Sequence, residues 1–223
     1  MKCSECGKQI SIDEEINSFA SKDAGLCNPC RRNIRLKKAT PMMLLPQSVP
    51  PRYIQEINGN PFYQAAGKVD KFYRHGPYLR GATGSGKSCQ AASLMFFAMK
   101  QALQDRVKVS FDWVNVPQLL FNIRQSFSDS EGGGEKHILQ HYSEVGWLCL
   151  DDLGVEKSTD WVLQTLYLIV NTRYENNRPT CVTCNLDPDA LAERMGDDRL
   201  ASRLRAMCPV YEVGNQDRRK KGK

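Results

Sequence analysis

The sequence has no apolar run approaching the about 18 residues that a membrane-spanning helix needs. Its first residues, "MKCSECGKQ", lack the apolar stretch of a secretory signal. These absences argue against a membrane partner and predict a cytoplasmic chain with reduced thiols. Histidine is scarce, at three residues. His137 and His141 stand four apart, but "HILQH" lacks the Glu of a zinc-protease helix, so a surface or core role is expected for both. There is no internal repeat and no long low-complexity segment, which excludes solenoids and arrays. The middle of the chain also lacks excess positive charge. Residues 1–38 carry eight Lys/Arg against five Asp/Glu, and 214–223 carry five against one, which leaves 18 against 19 between them out of a net +6. Basic ends are either solvated tails or nucleic-acid contacts, and charge alone does not decide.

What is present begins with "GATGSGKS". Gly81, Ala82, Thr83, Gly84, Ser85, Gly86, Lys87 and Ser88 fit G-x-x-x-x-G-K-[ST] without mismatch. The glycines allow a tight turn whose N–H groups point into one concavity. Lys87 is then placed to reach β- and γ-phosphates, and Ser88 to ligate Mg²⁺. Strand-like "PYLR" precedes the loop. "KSCQAASLMFFAMKQALQ" follows it without Gly or Pro, so a helix N-terminus, Cys89 included, faces the phosphates.

Two C-x-x-C pairs, Cys3/Cys6 and Cys27/Cys30, open the chain with 20 residues between them. Two such knuckles complete a four-sulfur tetrahedron for structural Zn²⁺ with no open position for catalysis. A segment under 40 residues barely folds alone, so the metal would supply its missing core. "RRNIRLKK" after the second knuckle reads as a short basic helix. A third pair, Cys181/Cys184, lies in "PTCVTCNL". That stretch reads as a buried strand, in which residues three apart point to opposite faces and cannot share a metal. Cys149 and Cys208 also read as core thiols.

The remaining pattern alternates strands and helices. Strands are expected at 106–114, "WLCL", "TCVT" and "PVYEV". Helices are expected near 62–74, over 116–127, in "HILQHYSEV", over 160–177, and in "DPDALAERMG" and "DDRLASRLRAM". Residues 128–136 read as a loop, residues 39–52, rich in proline, as a linker, and the basic stretch 214–223 as disordered. Such alternation implies an α/β fold with a mostly parallel sheet flanked by helices, and ligands beyond the carboxyl ends of the strands. Asp151 and Asp152 end one strand. Asp151 is expected to hold the Mg²⁺ water shell opposite Ser88, and Asp152 to orient the attacking water. Asn185 ends another strand and could position that water or sense the γ-phosphate. Arg199 and Arg203 share a helix face, as an arginine offered to a neighbour's nucleotide would, or as a solvated basic helix would.

With "PPRY", "GATGSGKS", "LCLDDLG", "TCNL" and "DRLASRL" in this order, residues from about 50 to 213 resemble the AAA+ ATPases of the DnaC/DnaI helicase-loader and IstB branch. The resemblance implies an AAA+ P-loop NTPase core over 53–213, lid absent, preceded by a small four-cysteine zinc-binding domain over 1–38. It implies Asp151 as the Walker B magnesium residue, Asp152 as the catalytic carboxylate, Asn185 as sensor 1, and Arg203, with Arg199 second, as the arginine finger. Tyr53 and Ile54 would lie near the adenine. Many relatives carry Glu where Asp152 stands. ATP, Mg²⁺ and Zn²⁺ are the expected cofactors. The expected activity is ATP-dependent loading of a replicative DNA helicase onto single-stranded DNA, in an ATP-bound oligomer, in a bacterial or phage-infected cell. The alternative is an IstB-like transposition helper that binds target DNA. A nucleotide kinase would need an arginine-bearing lid and an acceptor pocket, and no segment is long enough for them. The intact Lys87, Ser88, Asp151 and Asn185 argue against a vestigial ATPase.

Overall fold

A parallel five-stranded sheet forms the spine of the protein, with strand order β2-β3-β4-β1-β5. The computed structural model describes residues 2–9, 28–58, 74–127, 134–214 and 217–218. The helix expected near 62–74 lies almost wholly outside them, as do Cys27 and residues 219–223. The strands are β1 (Tyr78–Arg80), β2 (Phe111–Asn115), β3 (Trp147–Leu153), β4 (Thr180–Cys184) and β5 (Val210–Glu212). β3 is central and covered on both faces, so it reads as a continuous apolar run instead of an alternating one. Trp147, Leu148, Cys149 and Leu150 are wholly buried.

Among the described residues, seven longer helices accompany the sheet: α1 (Asn28–Lys38), α4 (Lys87–Gln104), α5 (Val116–Ser126), α6 (Gly134–Glu144), α7 (Asp160–Glu175), α8 (Pro188–Met195) and α9 (Asp198–Met207). Two short ones, α2 (Pro41–Leu44) and α3 (Pro51–Ile57), precede β1. Local chemistry sets several starts. Asn115, Thr159, Asp187 and Asp197 each accept a backbone N–H of the following first turn. Gly196 ends α8 in the left-handed region, with φ of 71°.

The sheet separates two cores. On one side α4 packs close through Ala91, Ala92 and Ala98, together with Cys149 and Cys181. On the other, α5, α7, α8 and α9 bury Leu148, Leu150, Val182 and Cys184. Cys181 and Cys184 thus fall in different cores, as strand alternation requires.

Three expectations shift. β2 starts at Phe111 instead of residue 106, and α6 starts at Gly134, inside the expected loop. The stretch 39–52 is not a free linker: Leu45 and Val49 are buried against α4. Its prolines set the first turns of α2 and α3, and its apolar side chains dock them. Of the basic C-terminal stretch, Gly214, Asp217 and Arg218 are described, and Arg218 N–H donates to Gly84 O at 2.9 Å. A backbone hydrogen bond holds this residue, although its neighbours have no apolar side chain to pack.

Candidate nucleotide site

The carboxyl ends of β1, β3 and β4 meet at a cavity of about 550 Å³ lined by residues of the 83–89 loop, Asp152 and Asn185, with Arg52, Tyr53 and Glu56 from α3. The loop after β1 turns through Gly84 and Gly86, with φ of 77° and 98°. That conformation is open to glycine at no cost to a side chain. It delivers Lys87 to the first turn of α4, where the residue is buried at 5% exposure. Lys87 Nζ donates to Gly81 O and Ala82 O, each at 3.0 Å, and to Asn185 Oδ1 at 2.7 Å. The end of β4 and the loop after β1 are therefore joined by one ammonium group. Three acceptors around a buried cation leave it desolvated yet matched, and phosphate oxygens are stronger acceptors than carbonyls.

The two acids at the end of β3 differ. Asp151 is 1% exposed and accepts from Thr183 Oγ1 at 2.7 Å. Burial pushes its carboxyl up to about 6. Hydrogen bonds from Thr183 and Ser88 and the charge of Lys87 oppose that rise, and neighbouring Asp152 adds to it. Asp152 has φ of 60°, an uncommon region that Asp tolerates better than most residues. The register between β3 and β4 slips at this point, between Leu150 and Leu153. Thr183 Oγ1 accepts Asp152 N–H at 2.9 Å while donating to Asp151. One hydroxyl thus fixes the irregularity that turns Asp152 into the cavity and keeps Asp151 behind it. Asn115, at the end of β2, reaches Asp152 Oδ2 with its amide at 3.4 Å while its Oδ1 caps α5.

The other expected residues fall as follows. Ser88 and Cys89 line the cavity. The Cys89 thiol donates to Glu56 Oε2 at 3.1 Å. The Tyr53 hydroxyl is in hydrogen-bond contact with Ser88, and burial, reinforced by the charge of Asp151, raises its pKa. Its ring packs 5.8 Å from that of Trp113. Ile54, next on the helix, turns into the core and does not line the cavity. Ser85 is buried, and its Oγ finds no partner among the described residues.

Arg199 and Arg203 lie along α7 and do not line the cavity. Arg199 pairs with its own N-cap, Asp197, at 2.6 Å, and sits over the Tyr167 ring. Arg203 donates to Asn171 Oδ1 at 3.0 Å, and its guanidinium stands 4.7 Å from the Tyr174 ring centre.

At the N-terminus, Cys3, Cys6 and Cys30 bring their sulfurs within 4.8 Å of one another. Cys3 N–H donates to Lys8 O, and Gly7 N–H donates to Cys3 O. Gly7, at φ of 70°, closes the turn that returns Cys6 to Cys3. Cys30 comes from the first turn of α1, and Cys3 is buried against it and Ile34. Thiolates around one Zn²⁺ at about 2.3 Å each lie roughly this close, so the cluster is compatible with zinc. Among the described residues no helix is long and apolar enough to cross a membrane.

Sequence reasoning missed Thr183, Asn115, Arg52, Glu56 and Arg218. The available signal for the first two was their position, since polar residues at strand ends in a parallel sheet face the ligand edge.

No protein-family model matches the chain. The chain is 29% identical over 142 residues to the phage-like element PBSX protein XkdC of Bacillus subtilis (strain 168), covering 60% of this chain and 48% of XkdC. It is 22% identical over 166 residues to the replicative helicase loader DnaC of Escherichia coli (strain K12), covering 74% and 59%. The chain thus spans about half to three fifths of the length of these relatives. A crystal structure of the DnaC helicase loader superposes with TM-score 0.55 at 20% identity, covering 81% of this chain and 99% of that one. The replication initiator DnaA bound to AMPPCP and single-stranded DNA superposes with TM-score 0.51 at 16% identity, covering 80% and 50%. The core has the AAA+ P-loop fold, and the chain is similar to the DnaC-type helicase loaders.

Proposed function

We propose that the protein is an ATPase that loads a replicative DNA helicase onto single-stranded DNA, with a zinc-binding module at residues 1–38 and an ATPase domain at 53–213. The observation that carries the ATPase reading is the bond from Lys87 Nζ to Asn185 Oδ1 at 2.7 Å. It puts the loop cation and a strand-end amide on one spot, beside Ser88 and in front of Asp151, where a γ-phosphate and its Mg²⁺ belong. The fold shared with AMPPCP-bound DnaA supports the same placement. The similarity to DnaC supports the loading role.

In this reading Lys87 exchanges its carbonyl partners for β- and γ-phosphate oxygens. Ser88 and Asp151 hold Mg²⁺, which neutralises charge developing on the phosphates. Asp152 orients the attacking water, and Asn115 steadies Asp152. Asn185 contacts the γ-phosphate and links its loss to the end of β4. Among the described residues no lid covers the cavity, so Arg203 of an adjacent copy completes it, with Arg199 beside it. ATP binding then drives assembly, and hydrolysis drives release. Cys27 joins Cys3, Cys6 and Cys30 on zinc, and the module contacts helicase or DNA.

The test is ATP turnover and capture of a hexameric replicative helicase, each with and without ATP and single-stranded DNA. Lys87→Ala should abolish nucleotide binding. Arg203→Ala should keep binding and lose turnover in the assembled state. ATP-independent behaviour in both assays, or normal turnover by Arg203→Ala, would overturn the corresponding assignment.

A further inference from the structure

The chain after β5 crosses the phosphate loop. Val213 N–H donates to Arg80 O at 2.7 Å. The carbonyls of Val213 and Gly214 lie so near Gly81 that a Cβ there would stand 2.9 and 3.0 Å from them. Further on, Arg218 N–H donates to Gly84 O at 2.9 Å. The C-terminal segment therefore touches the loop at its first and fourth residues. Its Arg218 lines the cavity with Thr83, Lys87 and Asn185.

The charges around that cavity are unbalanced. Arg52, Lys87 and Arg218 face Glu56 and Asp152. A third cation folded onto a loop already rich in inward-pointing N–H groups is repelled by them and by Lys87. An anion between them reverses the sign of that interaction.

We propose that Arg218 is a ligand of the bound polyphosphate, presented by a C-terminal strap that closes the open side of the cavity from within the same chain. The strap is positioned by backbone contacts to Gly81 and Gly84, so the guanidinium is delivered to the phosphates without a folded lid domain. Arg203 would serve a neighbour's nucleotide, and Arg218 its own. The inference rests on the nucleotide reading above.

The experiment uses the full chain with a fluorescent ATP analogue, titrated at two salt concentrations, and thermal melts of each variant. Arg218→Gln keeps the backbone bond to Gly84 and should weaken binding about tenfold, the lower end for a charge-assisted contact at a solvent-facing position. Arg218→Lys should recover most of that loss. The salt dependence should shrink in the Gln variant and return in the Lys variant. Unchanged affinity in Arg218→Gln, with binding abolished in Lys87→Ala, would overturn the role of Arg218 and leave the nucleotide site standing. Equal losses in the Gln and Lys variants, with lowered melting midpoints, would reduce the strap to packing and also overturn it. A wild-type chain that does not bind the analogue would overturn the nucleotide reading itself and this inference with it.

Discussion

Replacing Asp151 with Asn should stabilise the protein in the absence of metal while destroying its activity. The carboxyl is 1% exposed, and burial raises its pKa from 3.8 to about 6. A rise of about two units corresponds to about 3 kcal/mol, at about 1.4 kcal/mol per unit. Because the folded pKa lies above the unfolded one, the folded state binds the proton more tightly. Stability from this group is fully present below pH 4 and is lost as pH rises through about 6. Above that, the folded chain holds a buried charge that only Mg²⁺ would compensate. An amide carries no charge, and its oxygen still accepts the Thr183 hydroxyl. Urea unfolding in chelator, without nucleotide, should therefore show Asp151→Asn gaining on the wild type as pH rises. The gap should be small at pH 4.5 and reach about 1–3 kcal/mol at pH 8. Added Mg²⁺ and ATP should then stabilise the wild type and leave the variant unmoved. A pH-independent gap, or a variant less stable at pH 8, would refute the account of Asp151 as a strained, metal-awaiting carboxylate.

Thr183→Val removes both a donor to Asp151 and the acceptor of Asp152 N–H. It should cost about 1–3 kcal/mol through the unpaired groups, and it should lower turnover because Asp152 loses its aim. Wild-type turnover in that variant would detach the β3–β4 irregularity from catalysis. Metal analysis of the purified chain should find one zinc per copy, and Cys6→Ser should lose it. Chelation should make residues 1–38 sensitive to protease while the ATPase core keeps its melting midpoint, since the two lie in separate apolar clusters. A protein free of zinc whose N-terminal segment resists protease equally well would remove the metal from the fold.

How much the sequence showed depends on whether the relevant partner is near in the chain. The loop from Gly81 to Ser88 was legible because its chemistry is local: glycines, lysine and hydroxyl act within one turn. The opposite faces of Cys181 and Cys184 were legible because a strand has a strict period of two. Tyr53 and Ile54 were paired as adenine neighbours, yet successive helical residues point about 100° apart. Once Tyr53 faces Ser88, Ile54 must face elsewhere, and it fills the core. The proline-rich stretch 39–52 read as a linker by composition, but Leu45 and Val49 carry the apolar surface that docks it.

The site's finer architecture was hidden for a different reason. Asp152 adopts φ of 60° because Thr183, 31 residues away on another strand, takes its N–H. Nothing within the acid pair itself announces that bond. Arg218 is the stronger case. Its neighbours cannot form a core, and composition therefore assigns them to solvent. What holds it is a backbone N–H on a backbone carbonyl, and every residue but proline can make that bond. A residue placed by its main chain leaves no trace in the pattern of side chains. Functional groups of this kind come to light only when the cavity they line is seen whole.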